Sequence, residues 1–231
     1  MSEVTRLIVV RHGNTFNSGD VILRVGSATD IPLTEKGVAQ GNAVGRDLAA
    51  AGIKVDAIFS APLMRTMRSA QEIASYYDDM PVVVEKFLTE LDYGMDDGQP
   101  EDDIVLRVGI VESNGKITPS TSLDELREAG KAALKKWDSE AVLPQAWQHL
   151  APRAEQLEQD WAEFGKRVAG EFVGKTVVAV TSNGIARFSK VLLDGSDALG
   201  GNLKLATGAY GIYVYENGAW RSEKWNVRPE L

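Results

Sequence analysis

The feature that most constrains this chain is a short apolar run, Leu-Ile-Val-Val at residues 7–10, that ends abruptly in Arg11-His12-Gly13. Such a run, bounded by glycine, is typical of a central strand in a sheet that is covered on both faces. Further strand-like segments lie at 55–60, 80–84 and 176–181, and stretches with helical spacing of apolar residues lie between strands. This alternation predicts an α/β protein.

Helix and turn signals complete the organisation. Thr34 is a predicted N-cap of a helix that ends at Gly52, whereas residues 90–120 are acidic and rich in turn formers. The strands predicted near residues 7–10 and 176–181 are both apolar runs that end in a polar segment. We therefore expect a single domain over 1–231 with an insertion at 104–150. Further predicted elements are helices after Pro62 and over 123–137, 152–169 and 185–193, and a C-terminal hairpin of 208–216 and 219–225 around Asn217-Gly218.

Composition excludes several classes of function. The 231 residues include no cysteine, so there is no disulfide, thiolate metal site or cysteine nucleophile. No run of about eighteen apolar residues is present, so we expect no membrane partner, and the N-terminal residues do not form a secretory signal. These features favour a cytoplasmic location. The net charge of −8 gives a surface that repels nucleic acid.

Four polar segments follow predicted strands, at 11–13, 60–65, 89–92 and 181–184. In a parallel sheet such strand ends lie at one edge, where residues far apart in sequence converge. Arg65 falls in the first turn of its helix, where the positive helix end favours anions. Taken alone, the first segment is equally well explained as a strand end that happens to be polar.

Together the four segments contain two arginines, a histidine and a glutamate, which are the groups needed to transfer a phosphoryl group to nitrogen. Arg11 and Arg65 would spread the negative charge of the phosphoryl oxygens, and His12 would be the nucleophile. Glu90 would carry a proton to the departing oxygen. The segments therefore indicate a phosphorylated small-molecule substrate, bound where the arginines gather.

The same segments resemble, in the same order, the motifs of the histidine phosphatase superfamily, whose fold is phosphoglycerate-mutase-like. The opening Arg-His-Gly-Asn-Thr at 11–15 is similar to the family's Arg-His-Gly-Glu-Thr. Segments 30–40, 60–66, 90–94 and 178–184 are similar to its Asp-x-Pro-Leu-Thr-x-x-Gly-x-x-Gln, Ser-x-Pro-Leu-x-Arg-Ala, glutamate and Val-x-Val-Ser-His-Gly segments. The resemblance covers most of 5–100 and 153–226, and it implies a three-layer α/β/α sandwich with a mostly parallel central sheet.

The resemblance also implies roles for individual residues. His12 would become transiently phosphorylated, Arg11 and Arg65 would hold the phosphoryl oxygens, and Glu90 would protonate the leaving group and then activate water. Asn17 is the nearest match to the family's phosphate-binding asparagine, although it comes one residue early. Further binding residues on this basis are Arg24, Asn183 and Gly184. Neither a cofactor nor a metal ion is implied.

One position departs from the family pattern, because Asn183 stands where the motif has its second histidine. An amide still donates a hydrogen bond, but without charge. Replacing a hydrogen bond of about 1.5–3 kcal/mol with one of about 0.5–1.5 kcal/mol would cost roughly ten- to thirtyfold in rate.

Three functions remain open at this point. A phosphomonoesterase with reduced turnover is the leading hypothesis. A phosphoglycerate-mutase-like phosphotransferase and a catalytically weak phospholigand-binding protein are the alternatives.

Several other residues have ordinary explanations. We predict that His149 is a surface or packing histidine, that Arg68 is solvated, and that the acidic residues around Asp96 form a solvated loop rather than a metal site. The insertion tryptophans are predicted to be core residues more often than parts of a lid. An exposed edge strand of such a sheet often pairs two subunits, which leaves a homodimer open.

Overall fold

The computed structural model describes residues 4–114, 116–193, 199 and 201–231. A single six-stranded sheet organises these residues, in the order β3-β2-β4-β1-β5-β6. The pairs β1–β4, β2–β4 and β2–β3 are parallel, whereas β5 joins β1 and β6 joins β5 in antiparallel fashion. The strands are β1 Thr5–Arg11, β2 Ala57–Ser60, β3 Val82–Val84, β4 Thr176–Thr181, β5 Tyr210–Glu216 and β6 Ala219–Val227.

Helices connect and cover these strands. They are α1 Glu35–Ala50, α2 Met64–Ala74, α3 Glu101–Glu112, α4 Leu123–Glu140, α5 Ala151–Glu171 and α6 Asn183–Ala186. Short 3₁₀ helices occupy Lys86–Leu88, Gly94–Asp96, Gln145–Leu150 and Arg187–Leu192. The start of α1 follows the prediction, because the Thr34 side chain accepts a hydrogen bond from the Gly37 N–H at 3.1 Å.

Alternate residues of the central strands enter two separate cores. Ile8 and Val10 point to the face covered by α1 and α2, where they pack near Val44 and Ile73. Leu7 points to the opposite face, whose core is built from α3, α4 and α5. Burial on both faces explains why β1 and β4 read as continuous apolar runs. The predicted three-layer α/β/α sandwich with a mostly parallel sheet is confirmed.

The predicted insertion joins the second of these cores. Residues 104–150 contain most of α3, all of α4 and the 3₁₀ helix Gln145–Leu150, and Trp137 and Trp147 from this segment are fully buried. These tryptophans share a core with Trp161 of α5, so their prediction as core residues is confirmed. The predicted boundary at 104 falls inside α3, which begins at Glu101.

Two local predictions differ from the structure. The segment 90–120 is predicted to be turn-rich, which holds only for its two ends, because residues 101–112 form α3. Glu101, Asp102 and Asp103 lie in the first turn of that helix, where negative charge stabilises the N-terminus. The helix expected over 185–193 is instead the short α6 followed by a 3₁₀ helix. The C-terminal hairpin is confirmed, with positive φ at both Asn217 and Gly218. Among the described residues, no helix combines the length and apolarity needed to cross a bilayer.

Candidate active site

Three of the four polar segments, those at 11–13, 89–92 and 181–184, meet at one cavity of about 420 Å³, whereas no residue of 60–65 lines it. It lies beyond the carboxyl ends of the parallel strands, the position at which open α/β sheets bind ligands. His12 follows β1 and Asn183 follows β4, while Glu90 follows the 3₁₀ helix after β3. Helices α3 and α4 close the opposite wall with Glu101, Leu134 and Asp138.

His12 is held in one orientation and one tautomer. Its Nδ1 lies 2.8 Å from the carbonyl oxygen of Gly13, and a carbonyl oxygen only accepts. Nδ1 therefore carries the ring proton and donates it to Gly13, so in the neutral ring Nε2 keeps its lone pair. The side chain is 7% exposed and lines the cavity. The geometry thus presents an unprotonated ring nitrogen to the site.

The surroundings of His12 keep its ring neutral. Burial holds the pKa of His12 well below its ordinary value, and the positive charges of Arg65 and Arg11 lower it further. Both guanidiniums therefore act on the one imidazole, as the sequence predicts for residues that converge on a strand edge. A neutral imidazole is the reactive form of a nitrogen nucleophile.

Arg11 presents most of its hydrogen-bonding capacity to the cavity. A guanidinium has five N–H donors, and Nη1 of Arg11 donates to the Leu205 carbonyl at 2.8 Å. No other acceptor among the described residues bonds this side chain. The remaining donors of Arg11 are suited to an anion.

Arg65 approaches His12 in a different way. Its side chain is fully buried, and its guanidinium donates to the carbonyls of Gly26 and Thr29, each at 3.0 Å. It lies 3.9 Å from the partly exposed carboxylate of Asp30. Arg65 is not among the residues that line the cavity. The structure therefore brings Arg65 beside His12 as a buried positive charge that also holds the loop before α1.

Glu90 is fixed by two backbone N–H groups. Oε1 accepts from Leu91 at 2.9 Å, and Oε2 accepts from Gly184 at 3.2 Å. A Cβ on residue 184 would overlap Oε1 and would lie 2.9 Å from the hydroxyl of Tyr93. Glycine at 184 is therefore a steric requirement of the glutamate's position.

Asn183 is also oriented by the backbone. Its Oδ1 accepts from the Leu205 N–H at 3.0 Å, which assigns the other end of the amide as the NH₂ donor. The residue is 8% exposed and lines the cavity together with His12 and Glu90. The Leu205 backbone thus contacts two site residues: its carbonyl accepts from Arg11, and its N–H donates to Asn183.

Arg24 lines the cavity, as the sequence predicts, but it is already engaged. It forms an ion pair with Glu101 of α3 and stacks on Trp147 and Tyr93, with its guanidinium carbon 4.8 and 5.3 Å from the two ring centroids. Burial alone would lower the pKa of Arg24, but the combined effect of Glu101 and the other acidic groups around the cavity raises that pKa.

The structure does not bring Asn17 to the cavity. Asn17 is exposed, and its backbone pairs with Asp20 in a local turn. Asn14 lines the cavity instead, and its side chain accepts from the Thr207 hydroxyl. The spacing mismatch of Asn17 was the signal, and the local turn that it forms with Asp20 leaves it exposed.

Besides Glu101, sequence reasoning missed three charged residues of the cavity: Arg187, Asp138 and Lys204. Arg187 is 1% exposed, stacks 4.0 Å from the Trp137 ring centroid and donates to the Asn183 carbonyl at 3.1 Å. Asp138 accepts from Arg187 at 3.3 Å and from Lys204 at 2.5 Å. Burial by itself would raise the pKa of Asp138, but these two cations hold it below its ordinary value. Nothing in the linear sequence links the three.

Other residues behave as their ordinary explanations predict. His149 is exposed, and Arg68 is a half-exposed partner of Glu72 on α2. Asp96 differs, because it is buried and accepts from Arg107 and from the Trp147 indole at 2.7 Å. Within the described part of the chain, no three His, Asp or Glu side chains are grouped to hold a metal ion.

Comparison with known proteins shows which family part of the chain resembles. Residues 7–110 match the model of the histidine phosphatase superfamily (branch 1). The chain is 33% identical over 101 residues to a 2,3-bisphosphoglycerate-dependent phosphoglycerate mutase of Bartonella quintana, covering 42% of this chain and 48% of that protein. It is 32% identical over 131 residues to the fructose-2,6-bisphosphatase TIGAR of Bos taurus, covering 54% and 47%. The chain thus spans about half the length of the curated relatives it matches.

The fold extends beyond the matched region. A crystal structure of phosphoglycerate mutase from Bacillus anthracis superposes with a TM-score of 0.68 at 22% identity, covering 97% of this chain and 94% of that one. At this identity the likeness shows the fold alone. The region that matches the family model carries the segments with His12, Arg65 and Glu90, so this part of the chain is similar to the histidine phosphatase superfamily.

Proposed function

We propose that the protein is a phosphomonoesterase that acts on a small phosphorylated metabolite through a phosphohistidine at His12. The observation that carries this proposal is the Nδ1 hydrogen bond to Gly13 in a ring kept neutral by burial and by two guanidiniums. Similarity of residues 7–110 to the histidine phosphatase superfamily, and of the chain to a bisphosphatase and to mutases, supports phosphoryl transfer as the class of reaction.

In the first step, the lone pair on His12 Nε2 forms a bond to phosphorus as the bond from phosphorus to the ester oxygen breaks. A carboxylic acid at Glu90 gives its proton to that departing oxygen, so the product leaves as a neutral alcohol. In the second step, water attacks phosphorus, Glu90 takes its proton, and the phosphorus–nitrogen bond breaks. Inorganic phosphate is released, and His12 returns neutral.

Electrostatic stabilisation accompanies both steps. The free N–H groups of Arg11 and the amide NH₂ of Asn183 donate to the phosphoryl oxygens, and Gly184 positions Glu90. Arg65 contributes positive potential from behind the imidazole. Because Asn183 carries no charge, its hydrogen bond is weaker than that of an imidazolium. Turnover is therefore roughly ten- to thirtyfold slower than it would be with a charged histidine at position 183.

The test is phosphate release from 4-nitrophenyl phosphate. We expect activity in the parent protein and a loss of at least about 10³-fold in His12→Ala, because the nucleophile is removed. His149→Ala is the matched control and should retain full activity, since its side chain is exposed. Equal activity in His12→Ala and the parent would overturn the proposal.

A second candidate is a phosphoglycerate-mutase-like phosphotransferase, favoured by the 33% identity to a protein of that name. A mutase must protect the phosphohistidine from water and return the phosphoryl group to a second hydroxyl. Stimulation of isomerisation by a bisphosphate primer, without net phosphate release, would favour this candidate over the phosphatase.

A third candidate is a phospholigand-binding protein with little turnover, favoured by the uncharged Asn183. Tight binding of phosphate by calorimetry with no hydrolysis over hours would favour it. The glutamate fixed by two backbone N–H groups argues for chemistry, because a binding protein gains nothing from a proton donor beside an anion.

A further inference from the structure

The cavity has two ends with different charge arrangements. At the phosphoryl end, Arg11 and the neutral His12 and Asn183 leave an excess of positive charge without a carboxylate bonded to it. The other charged lining residues form what we call the leaving-group end, which adjoins Arg11 and Asn183. They are Arg24, Glu101, Asp138, Arg187 and Lys204. Tyr93 and Leu134 add apolar surface there.

Each cation of the leaving-group end is already paired with a carboxylate. Glu101 binds Arg24, and Asp138 lies between Arg187 at 3.3 Å and Lys204 at 2.5 Å. Glu90 is left out of this balance because it enters the reaction as a neutral acid, so two carboxylates face three cations along this part of the wall. The protein itself therefore compensates most of the positive charge that would attract a second anionic group on the substrate.

The pairs nevertheless keep hydrogen-bonding capacity. Each carboxylate oxygen accepts more than one hydrogen bond, and each guanidinium has five donors. Among the described residues none bonds Oε2 of Glu101 or the hydroxyl of Tyr93. Donors and acceptors thus alternate around an apolar patch. Hydroxyl groups, which both donate and accept, match such a surface without introducing net charge.

We propose that the leaving-group end binds a neutral, hydroxyl-rich alcohol, so that the substrate is the monophosphate of a polyol or sugar and carries no second anionic group. This inference rests on the proposed function and names its substrate class. A carboxylate or second phosphate would face Glu101 and Asp138 and would have to displace ion pairs, which disfavours acidic substrates.

The test uses two pairs of phosphate esters, and the members of each pair differ only in whether the alcohol part carries a carboxylate. Glycerol 3-phosphate and 3-phosphoglycerate share a three-carbon chain, and one carries a hydroxymethyl group where the other carries a carboxylate. Sorbitol 6-phosphate and 6-phosphogluconate differ in the same way on a six-carbon chain. In at least one pair, we expect kcat/KM to be about tenfold or more higher for the ester without a carboxylate. Equal or higher kcat/KM for both acids would overturn the inference.

Two substitutions test the cause of that preference. Asp138→Asn and Glu101→Gln each keep the shape of the side chain and remove one negative charge, which leaves neighbouring cations unpaired. In both variants, the ratio of kcat/KM between the esters without and with a carboxylate should fall by about tenfold, chiefly through a change in KM. Asp160→Asn is the matched control, since Asp160 pairs with Arg153 on α5 and does not line the cavity. An unchanged ratio in both variants would contradict the inference.

A binding measurement separates this inference from the proposed function. In His12→Ala the nucleophile is absent, so calorimetric titration with the same four esters reports affinity without turnover. The two esters without a carboxylate should again bind about tenfold more tightly than the two esters that carry one. If the parent hydrolyses none of the esters but this preference is found, the phosphatase proposal fails and the inference stands. If hydrolysis occurs without any such preference, the inference fails alone.

Discussion

The two ends of the cavity are held in place by different kinds of contact. At the phosphoryl end, His12, Glu90 and Asn183 each bond to a backbone N–H or carbonyl group. At the leaving-group end, Arg187 also donates to a backbone carbonyl, but every charged group there is in addition held by an ion pair between side chains, such as Arg24 with Glu101. Backbone groups in and beside a sheet are fixed by the ladder hydrogen bonds, whereas an ion pair requires that the rotamers of two long side chains are held together.

This difference assigns separate tasks to the two ends. Positioning to within a fraction of an ångström is what phosphoryl transfer requires, and the sheet edge provides it. Selection among alcohols requires only complementary polarity, which helices α3 and α4 provide from outside the sheet. Substitutions at the phosphoryl end should therefore change kcat, and those at the leaving-group end should change KM.

The largest effect short of removing the nucleophile is expected from Gly184→Ala. The added Cβ would overlap Glu90 Oε1, so the carboxyl group must move and its hydrogen bond from the residue 184 N–H is lost. Because a displacement of this size at a catalytic group costs about 10²-fold, kcat for 4-nitrophenyl phosphate should fall by about that factor, with little change in KM.

Gly170→Ala is the matched control for this prediction. Gly170 lies in α5, and a Cβ there would meet nothing within 4 Å. The control should keep full activity and match or slightly exceed the parent in Tm, because alanine is a better helix former than glycine. A Gly184→Ala protein with parental kcat would show that Glu90 is not held by this contact.

A smaller effect, in the opposite direction, is expected from Asn183→His. An imidazolium donates a charged hydrogen bond to the phosphoryl group, and kcat should rise by about tenfold. The same imidazolium has no acceptor for the Leu205 N–H, which now bonds Asn183 Oδ1 at 3.0 Å. The free energy of unfolding should therefore fall by about 1–3 kcal/mol, measured by urea denaturation.

Asn183→Asp provides the control for that pair of effects. Aspartate keeps an acceptor for Leu205 but has no NH₂ donor and adds negative charge, so kcat should fall by about 10²-fold. If histidine at 183 lowers kcat instead of raising it, the fixed amide is the better donor in this site. Asn183 would then be part of an efficient arrangement and not a handicap to it.

The contrast between the two ends also explains what the sequence could predict. His12, Glu90 and Asn183 directly follow strand or 3₁₀ segments that read clearly in the chain, so their convergence at one sheet edge was predictable. Arg65 acts on His12 through its charge without lining the cavity, and its bonds to the carbonyls of Gly26 and Thr29 depend on a loop without periodic pattern.

The leaving-group end could not be predicted in the same way. Asp138 meets Arg187 and Lys204 across 49 and 66 residues, through the packing of α4 against the segment after β4. These contacts depend on how α4 packs against segments that are distant in the chain, and residue spacing does not encode that packing. Asn17 illustrates the same limit on a shorter scale, because a local turn around Asp20 removed it from the cavity.

The smallest effect, seen only in acid, concerns the protonation of His12. Its pKa is lowered by burial and by the charges of Arg65 and Arg11, and only the neutral ring attacks phosphorus. We therefore expect kcat/KM to stay level as the pH falls through 6.5, the ordinary value for histidine, and to decline only below it. Because the folded pKa lies below the unfolded one, stability contributed by the neutral ring is complete above 6.5 and is lost as the pH falls toward the folded pKa.

The titration is readable by NMR in His149→Gln, which leaves His12 as the one imidazole of the chain. The ring resonances should change at the same acidic pH at which kcat/KM declines. Titration at or above 6.5 would mean that the two guanidiniums do not act on this ring. The phosphoryl end would then lose the electrostatic feature that distinguishes it from the charge-compensated leaving-group end, and the division of tasks between the two would have to rest on positioning alone.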